Sequence, residues 1–445
     1  MREGSLEAPT RHPIDWQSAD YYDEAKLDAE MRRVLDICHG CRRCFNLCDS
    51  FPRLFDLVDN SKNGELDTVD SKDFKPVVDA CTLCDMCYMT KCPYVPPHEF
   101  NLDFPHLMLR YRAVEANRDG VKLKDRALAA TDFNGGIATV VSGLANWATD
   151  ADNKAARGVL NSLLGLNPEA ALPKYAGKTL EAEAQANPPQ RAENAPAKGR
   201  KAIVYATCYG NFNDTSIGKA ALAVLARNGV ETKVLHPHCC GMPKLEQGLI
   251  GEVADSAKLV AESFAPYIAE GWDIVALVPS CALMLKFEWP LILPRDENVK
   301  RLAAATFDLS EYVVDIARKE GLAEGLKPLD GGVAFHVSCH SRAQNMGQKG
   351  ADLLRLAPQM DLTVIERCSG HGGAWGCKGS NFETALKVGK PAARQIAGAG
   401  KKYMVSECPL AGMHLAQGVE RMESDAPKPE LVSHPIELLA RAYGE

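Results

Sequence analysis

From Lys201 onward, short apolar runs alternate with longer stretches of helical spacing, and the alternation happens twice. The first pass reads "KAIVYATC", "TSIGKAALAVLARNG", "VETKVLHPHCCG", "EVADSAKLVAESFAPYIAEG" and "WDIVALVPSC". The second reads "GVAFHVSCH", "QKGADLLRLAP", "LTVIERCSG", "NFETALKVGKPAARQIAGAG" and "KYMVSEC". Brief apolar runs separated by helices predict a largely parallel sheet with crossover helices. Ligands of such sheets gather beyond the carboxyl ends of the strands, and each run here ends at a cysteine. Upstream, "NLDFPHLMLRYRAVEANRDG" predicts an amphipathic helix ending near Gly120, its basic residues on a solvated face, docking of an acidic partner being the other reading. "GGIATVVSGLANWA" is more apolar; it predicts a helix packed on the region before it, a membrane surface or hydrophobic partner being the other contact. "NPPQRAENAPAKGR", residues 187–200, has the composition of a linker, so a new domain is expected to begin near Lys201.

The 445 residues suffice for two or three domains at roughly 150 each. With 51 basic against 58 acidic residues, a nucleic-acid surface is not expected. No stretch approaches the roughly 20 uninterrupted apolar residues of a membrane span. The start, "MREGSLEAPTRHPIDW", has no apolar run after its basic residues and does not read as a signal peptide. The expected location is cytoplasmic.

Sixteen cysteines change the picture. A disulfide framework suits small secreted chains, whereas clustered cysteines in a reducing compartment point to metal. "CHGCRRCFNLC" carries Cys38, Cys41, Cys44 and Cys48; "CTLCDMCYMTKCP" carries Cys81, Cys84, Cys87 and Cys92. Tetrahedral zinc normally takes two thiolates from each of two knuckles. Three cysteines at i, i+3 and i+6 plus a distant fourth is the cubane pattern of bacterial ferredoxins, in which the fourth ligates the other cluster. One [4Fe–4S] cluster is then expected on Cys38, Cys41, Cys44 and Cys92, and another on Cys81, Cys84, Cys87 and Cys48. The second run departs from the compact pattern by having four residues before its last cysteine, and the stretch between the runs is long, acidic and loop-like.

The duplication puts Cys208, Cys239, Cys240 and Cys281 at one strand-end site and Cys339, Cys368 and Cys408 at the equivalent place in the second copy. Cys208 to Cys239 spans 31 positions and Cys339 to Cys368 spans 29. Any one of these alone would read as a buried free cysteine; their matched placement is what signals a site. Glycine after the central pair suits a tight turn that brings backbone N–H groups toward sulfur. In the second copy Ser369 stands where the second cysteine of that pair would be, and Cys377 follows across a glycine-rich loop.

Two ferredoxin-type runs followed by this duplicated "CCG" unit resemble a family of iron–sulfur subunits, that of the C subunit of anaerobic glycerol-3-phosphate dehydrogenase. The chain is also similar to the iron–sulfur subunits of glycolate oxidase and of membrane-type heterodisulfide reductase. The resemblance runs from about Met31 to the end, including "HPIELLARAYG". It implies an α+β multidomain protein, an α-helical two-cluster ferredoxin module followed by a duplicated parallel-sheet α/β CCG domain. The expected divisions are an N-terminal extension (1–30), the ferredoxin-like part (31–112), a helical connector and linker (113–200), and two CCG-type repeats (201–328 and 329–445). It also implies electron transfer to or from a flavoprotein dehydrogenase or a rubrerythrin-like redox protein, with a quinone or membrane-anchor subunit as a further partner and a peripheral place at the inner face of the membrane.

The chain departs from the family where each repeat should end in Cys-x-x-Cys: it has "CALM" after Cys281 and "CPLA" after Cys408. The first repeat keeps four thiolates, enough for an iron–sulfur cluster or for zinc. The second keeps three, with Cys377 either a replacement ligand near a helix N-terminus, where a thiolate is favoured, or a packing residue. His340 and His371 are the candidate proton donors or ligands, with His236 and His238 beside Cys239; each has a hydrogen-bonded structural role as its other reading. No dinucleotide fingerprint, phosphate loop or Ser–His–acid order is present, so the chain is not expected to take a hydride alone. The leading expectation is an electron-transfer subunit. Its alternatives are a stand-alone oxidoreductase acting on a disulfide, quinone or small oxidant, and a zinc-stabilised assembly platform carrying a ferredoxin module.

Overall fold

The computed structural model describes residues 9–422 and 427–445, so the first eight residues of the expected extension lie outside the description. Among the described residues, eight short strands form two four-stranded parallel sheets. The first contains β1 (Lys201–Tyr205), β2 (Glu231–Leu235), β3 (Asp273–Ala276) and β4 (Thr306–Asp308), in the order β2-β1-β3-β4. The second repeats that order with β5 (Val333–His336), β6 (Leu362–Ile365), β7 (Tyr403–Ser406) and β8 (Glu430–Val432). Both registers are in-phase ladders, for example Val204 opposite Val234 and Val275, and Phe335 opposite Val364 and Val405.

The central strands are buried along nearly their whole length because helices cover both faces, which is why they read as unbroken apolar runs. The edge strands β4 and β8, three residues each, are too short to carry a periodic signal and were not foreseen. Each is followed by a capping-box helix: Asp308 with Glu311 opens Leu309–Lys319, and His434 with Glu437 opens Pro435–Tyr443. That last helix returns to the first repeat, where Arg227 stacks on Tyr443 at 4.6 Å.

The N-terminal region is helical. In Glu24–Cys41, Asp23 caps the start and Leu27, Met31, Val34 and Leu35 form the buried stripe. Phe104–Asp119 ends on Gly120 as its sequence predicts, but of its arginines only Arg118 faces solvent. Burial on several sides turns Arg110 to the carbonyls of Tyr21 and Asp20, and Arg112 to those of Val78, Cys81 and Glu246. The helix Thr131–Val140 also departs from expectation: it packs on the first α/β unit, with Gly135 so close to Phe212 that an added Cβ would stand 2.4 Å from the ring. Residues 187–200, read as a linker, are fastened to the same unit through Ala192 N–H to Ala226 and Ala197 N–H to Asn228.

Candidate functional site

The two N-terminal cysteine runs bend in the same way. Cys38 and Cys41 occupy the last turn of Glu24–Cys41, and Arg42 then turns left-handed at φ 53° to present Cys44. In the second run, Asp85 follows Cys84 at φ 63°, after Leu83 at φ 50°. Left-handed backbone at a non-glycine residue costs about 1–2 kcal/mol, so each bend needs an anchor. Arg42 donates to Asp59 at 2.9 Å, and Asp85 receives both terminal nitrogens of Arg11 at 2.8 and 2.6 Å.

The side chains exchange partners between the runs. Cys38 is pushed well above the ordinary thiol range by burial and then by Cys92, Cys44 and Cys41. Cys44 is pushed up to about 12 by burial, Cys92 and Cys41. Cys48 answers to burial and then to Cys84 and Cys81, and Cys87 to burial, Cys84, Cys81 and Cys48. Cys92 therefore faces the first run and Cys48 the second. All sixteen thiols are free of disulfides.

In the first α/β unit, four thiols converge at the strand ends. Thr207, a buried β-branched residue at φ 59°, aims Cys208; such an outlier marks a position the surroundings hold against strain. Cys208 Sγ stands 3.9 Å from Cys239 Sγ. Hydrogen bonds from Cys208 and Cys240 draw Cys239 well below the ordinary thiol value despite its burial, with Thr131 and the Gly241 N–H adding to them. Cys240 is raised by its hydrogen bonds to Cys239 and Cys281 and by burial. Thr131 Oγ1 donates to Cys239 Sγ at 3.2 Å, while Asp132 accepts the Cys239 N–H at 2.6 Å and pairs with His236 at 2.8 Å. His238 lies 3.6 Å from the same carboxylate. Tyr205 and Trp289 complete the surround through the carbonyls of His238 and Cys240. The sequence reading missed Thr131 and Asp132; a Thr-Asp pair ahead of a helical run is an N-terminus signal, but nothing local says which site it caps.

The second repeat keeps the turn and loses the grouping. Gly241 and Gly370 are both left-handed, at φ 81° and 77°, and each N–H points at the preceding cysteine sulfur, Cys239 or Cys368, at 3.4 Å. Ser369, in the place of Cys240, is buried and accepts the His371 N–H. Cys339 is raised by hydrogen bonds to Cys368 and to Cys84 of the N-terminal region, and by burial. Cys368 is drawn to about 7 by Cys339, burial opposing. Cys408 is pushed up to about 11 by burial, and the thiol that bears on it is Cys281 of the first repeat. Cys377, up to about 11 through burial, faces Arg157 instead of the other thiols. The structure thus divides the cysteines of the second copy among three surroundings.

His340 bridges the modules, with Nδ1 2.7 Å from Ser280 Oγ and Nε2 3.4 Å from the Leu83 carbonyl; burial lowers it. His371, lowered to about 3 by burial and by His414, lines a small cavity with Cys377, Leu410, Met413 and His414. Among the described residues, no three Cys, His, Asp or Glu side chains converge closely enough to hold a single metal ion. The donors are soft thiols with few carboxylates among them, a set suited to iron–sulfur clusters or zinc.

Fold and cysteines together define a class: two parallel-sheet α/β repeats with cysteines at their strand ends, preceded by a helical region carrying two further cysteine runs. The cysteine-rich CCG domain matches residues 202–286 and 333–416, one copy on each sheet. The chain is 28% identical over 324 residues to the C subunit of anaerobic glycerol-3-phosphate dehydrogenase from Escherichia coli strain K12, covering 72% of this chain and 77% of that one. It is 32% identical over 190 residues to lactate utilization protein A of Geobacillus kaustophilus, covering 40% of this chain and 75% of that protein. The Bacillus pumilus lactate utilization protein A is matched over 98% of its length at 27% identity. The chain belongs to this family of CCG-domain proteins.

Proposed function

We propose that the chain is an iron–sulfur electron-transfer subunit of an oxidoreductase. Cys38, Cys41, Cys44 and Cys92 would hold one [4Fe–4S] cluster, Cys81, Cys84, Cys87 and Cys48 a second, and Cys208, Cys239, Cys240 and Cys281 a further centre. The reading is supported above all by the exchange of fourth cysteines, Cys92 facing the first run and Cys48 the second, which two-cluster ferredoxin loops also make. Clusters held there would supply one-electron transfer without obligatory proton uptake.

The chain's own residues make a continuous row. Cys44 bears on Cys87, Cys84 meets Cys339, Cys339 meets Cys368, His340 spans Leu83 and Ser280, and Cys281 adjoins Cys408. Such a row suits a relay between a partner at the N-terminal region and a site in the α/β half. The Escherichia coli relative is by name a dehydrogenase subunit, which supports a flavoprotein or other redox protein as partner, the rubrerythrin-like kind included, with a quinone or membrane-anchor subunit on the other side. Among the described residues no helix is long and apolar enough to cross a membrane; the proposed place is the cytoplasm, peripheral at the membrane's inner face.

Anaerobic purification with iron, sulfide and zinc counts, followed by EPR of the reduced protein, tests the reading. Two cubanes require roughly eight irons, and a third cluster brings about twelve with matching sulfide. Cys92→Ser and Cys48→Ser should each perturb a different EPR signal. Eight irons with one zinc would instead support the platform reading, and fewer than four irons in a folded chain would end both.

A further inference from the structure

The connector wears its amphipathicity inside out. Helices Thr131–Val140 and Ser142–Thr149 are separated by Val141 alone. Phe133, Ile137, Val140, Val141, Leu144 and Trp147 recur along them at i, i+4, i+7, i+8, i+11 and i+14, the spacing of one helix face. That face is in solvent, with Val140 85% and Trp147 61% exposed. The face turned inward is small or polar: Gly135 packs on Phe212, Thr139 is buried, and Asn146 makes paired bonds to the backbone of Tyr175 at 2.7 and 3.0 Å. Of the twelve large apolar side chains most exposed among the described residues, nine fall between Leu123 and Leu163. Concentration on that scale marks an interaction surface.

Composition decides what it meets. Protein interfaces enrich Trp, Phe and Tyr with Met and Arg and deplete Lys, and surfaces that lie on bilayers combine Trp, Phe and Leu with a lysine-rich rim, so the charge of the rim separates the two. Over residues 122–164 the exposed charges are Lys122, Lys124, Arg126 and Lys154 against Asp152. We propose that the stripe from Phe133 to Trp147 is a lipid-docking surface whose partner is an anionic bilayer. The proposal rests on the peripheral placement given above and adds the surface that achieves it. The same helix begins on the first-repeat thiols, through Thr131 and Asp132 to Cys239, so docking brings that site to the membrane side of the protein.

The test uses the full chain, purified anaerobically, with vesicles of phosphatidylcholine alone or mixed with phosphatidylglycerol. Sedimentation should find the chain on the anionic vesicles, and Trp147 emission should shift to the blue, a shift that Trp147→Phe removes. Ile137→Ser with Leu144→Ser should weaken binding at least about tenfold, since one buried apolar side chain already contributes about that factor. Lys122→Glu with Lys124→Glu should weaken binding to the anionic vesicles only. Iron content and EPR, measured on the same samples, report on the electron-transfer reading separately. A chain that ignores both vesicles overturns the lipid partner. If the serine variant binds as well as the parent chain, peripheral placement survives and this surface is refuted.

Discussion

Arg11 offers a sharp test of how the N-terminal region is held to the rest. Its side chain is only 12% exposed, and its hydrogen bonds occupy all five guanidinium N–H positions. Nε reaches Asp103 at 3.0 Å; one terminal nitrogen reaches Asp85 and Glu288, both at 2.8 Å; the other reaches Asp85 at 2.6 Å and Asp103 at 3.2 Å. The group also lies 4.5 Å over the Tyr88 ring. Arg11→Met keeps much of the packing and leaves buried Asp85 without its hydrogen-bonded cation, while Glu288 and Asp103 keep only His106. Removing one partner from a buried ion set costs about 3–5 kcal/mol. Arg11→Lys keeps the charge but offers at most three donors, so it should recover about half of that.

The loss should depend on pH. Burial would raise the Glu288 carboxyl, but His106 and Arg11 outweigh it and hold it at about 2. A depressed carboxylate contributes stability above its unfolded pKa and loses it as pH falls through the folded one. Glu288 therefore stabilises the parent chain above about pH 4.5, where its unfolded carboxyl is ionised. Without Arg11 that contribution shrinks to what His106 supplies, and Asp85, raised by burial even with Arg11 in place, rises further. Ionising Asp85 then opposes folding more strongly, so the deficit of Arg11→Met should be larger at pH 8 than at pH 5. Native-state hydrogen exchange of amides 84–92, which reports local opening free energy, is the assay. Protection within about 1 kcal/mol of the parent at both pH values would refute the idea that this cation holds the loop.

Four further perturbations bear on the α/β half. Asp132→Ala leaves the Cys239 N–H without its acceptor and should cost about 1–3 kcal/mol, seen as faster exchange at that amide and restored in part by Asp132→Asn; unchanged exchange would remove Asp132 from the site. Burial raises Glu246 to about 7 despite Arg112 and Lys378, so the parent should lose stability as pH rises from about 4.5 to 7. Glu246→Gln should flatten that slope and gain about 2–3 kcal/mol at pH 8, and a slope that persists would assign it to another group. Gly370→Ala would put Cβ 2.0 Å from the Ala385 carbonyl, whereas in Gly241→Ala the nearest atom is 3.3 Å away; the first should cost more by at least about 2 kcal/mol, and equal melting losses would contradict the packing. Cys377→Ala should leave iron and sulfide unchanged at a modest cost in stability, and loss of iron would identify its thiol as a ligand.

The two sheets were legible because a strand buried on both faces leaves an unbroken apolar run, and the runs came in matching order. Periodicity was less informative about the connector. It marks a face between Phe133 and Trp147 but does not say which face meets water, and the apolar one was expected to turn inward. The helix carrying Arg110 and Arg112 misled in the opposite sense, since charged residues look solvated until nearby carbonyls claim them. Residues 11, 85, 103, 106 and 288 had no signal at all as a group. Their association exists only after the N-terminal segment has crossed the junction between the helical region and the first repeat.

The second-repeat cysteines show what duplication does and does not preserve. A copied turn keeps its backbone requirements, so Gly241 and Gly370 share a left-handed φ and the same N–H to sulfur contact. What lies across from the turn is not copied. Opposite the first turn stands the start of a connector helix, with Thr131 and Asp132 on Cys239. Opposite the second stands the loop after Cys81, with Thr82 so near that a Cβ on Gly372 would be 2.4 Å from its methyl. With Cys84 supplied from that loop, Cys339 has a second thiol neighbour besides Cys368. Cys377 is placed by other forces: its carbonyl accepts the Asn167 N–H at 2.8 Å, and Arg157 beside it is spent on the carbonyls of Thr149, Asn167 and Ala170. The Asn167 bond pins the glycine-rich loop to the connector through the Cys377 carbonyl, which any residue at position 377 could supply. The second repeat therefore sets Cys339 beside Cys84 of the N-terminal region, while Cys377 stands apart beside Arg157.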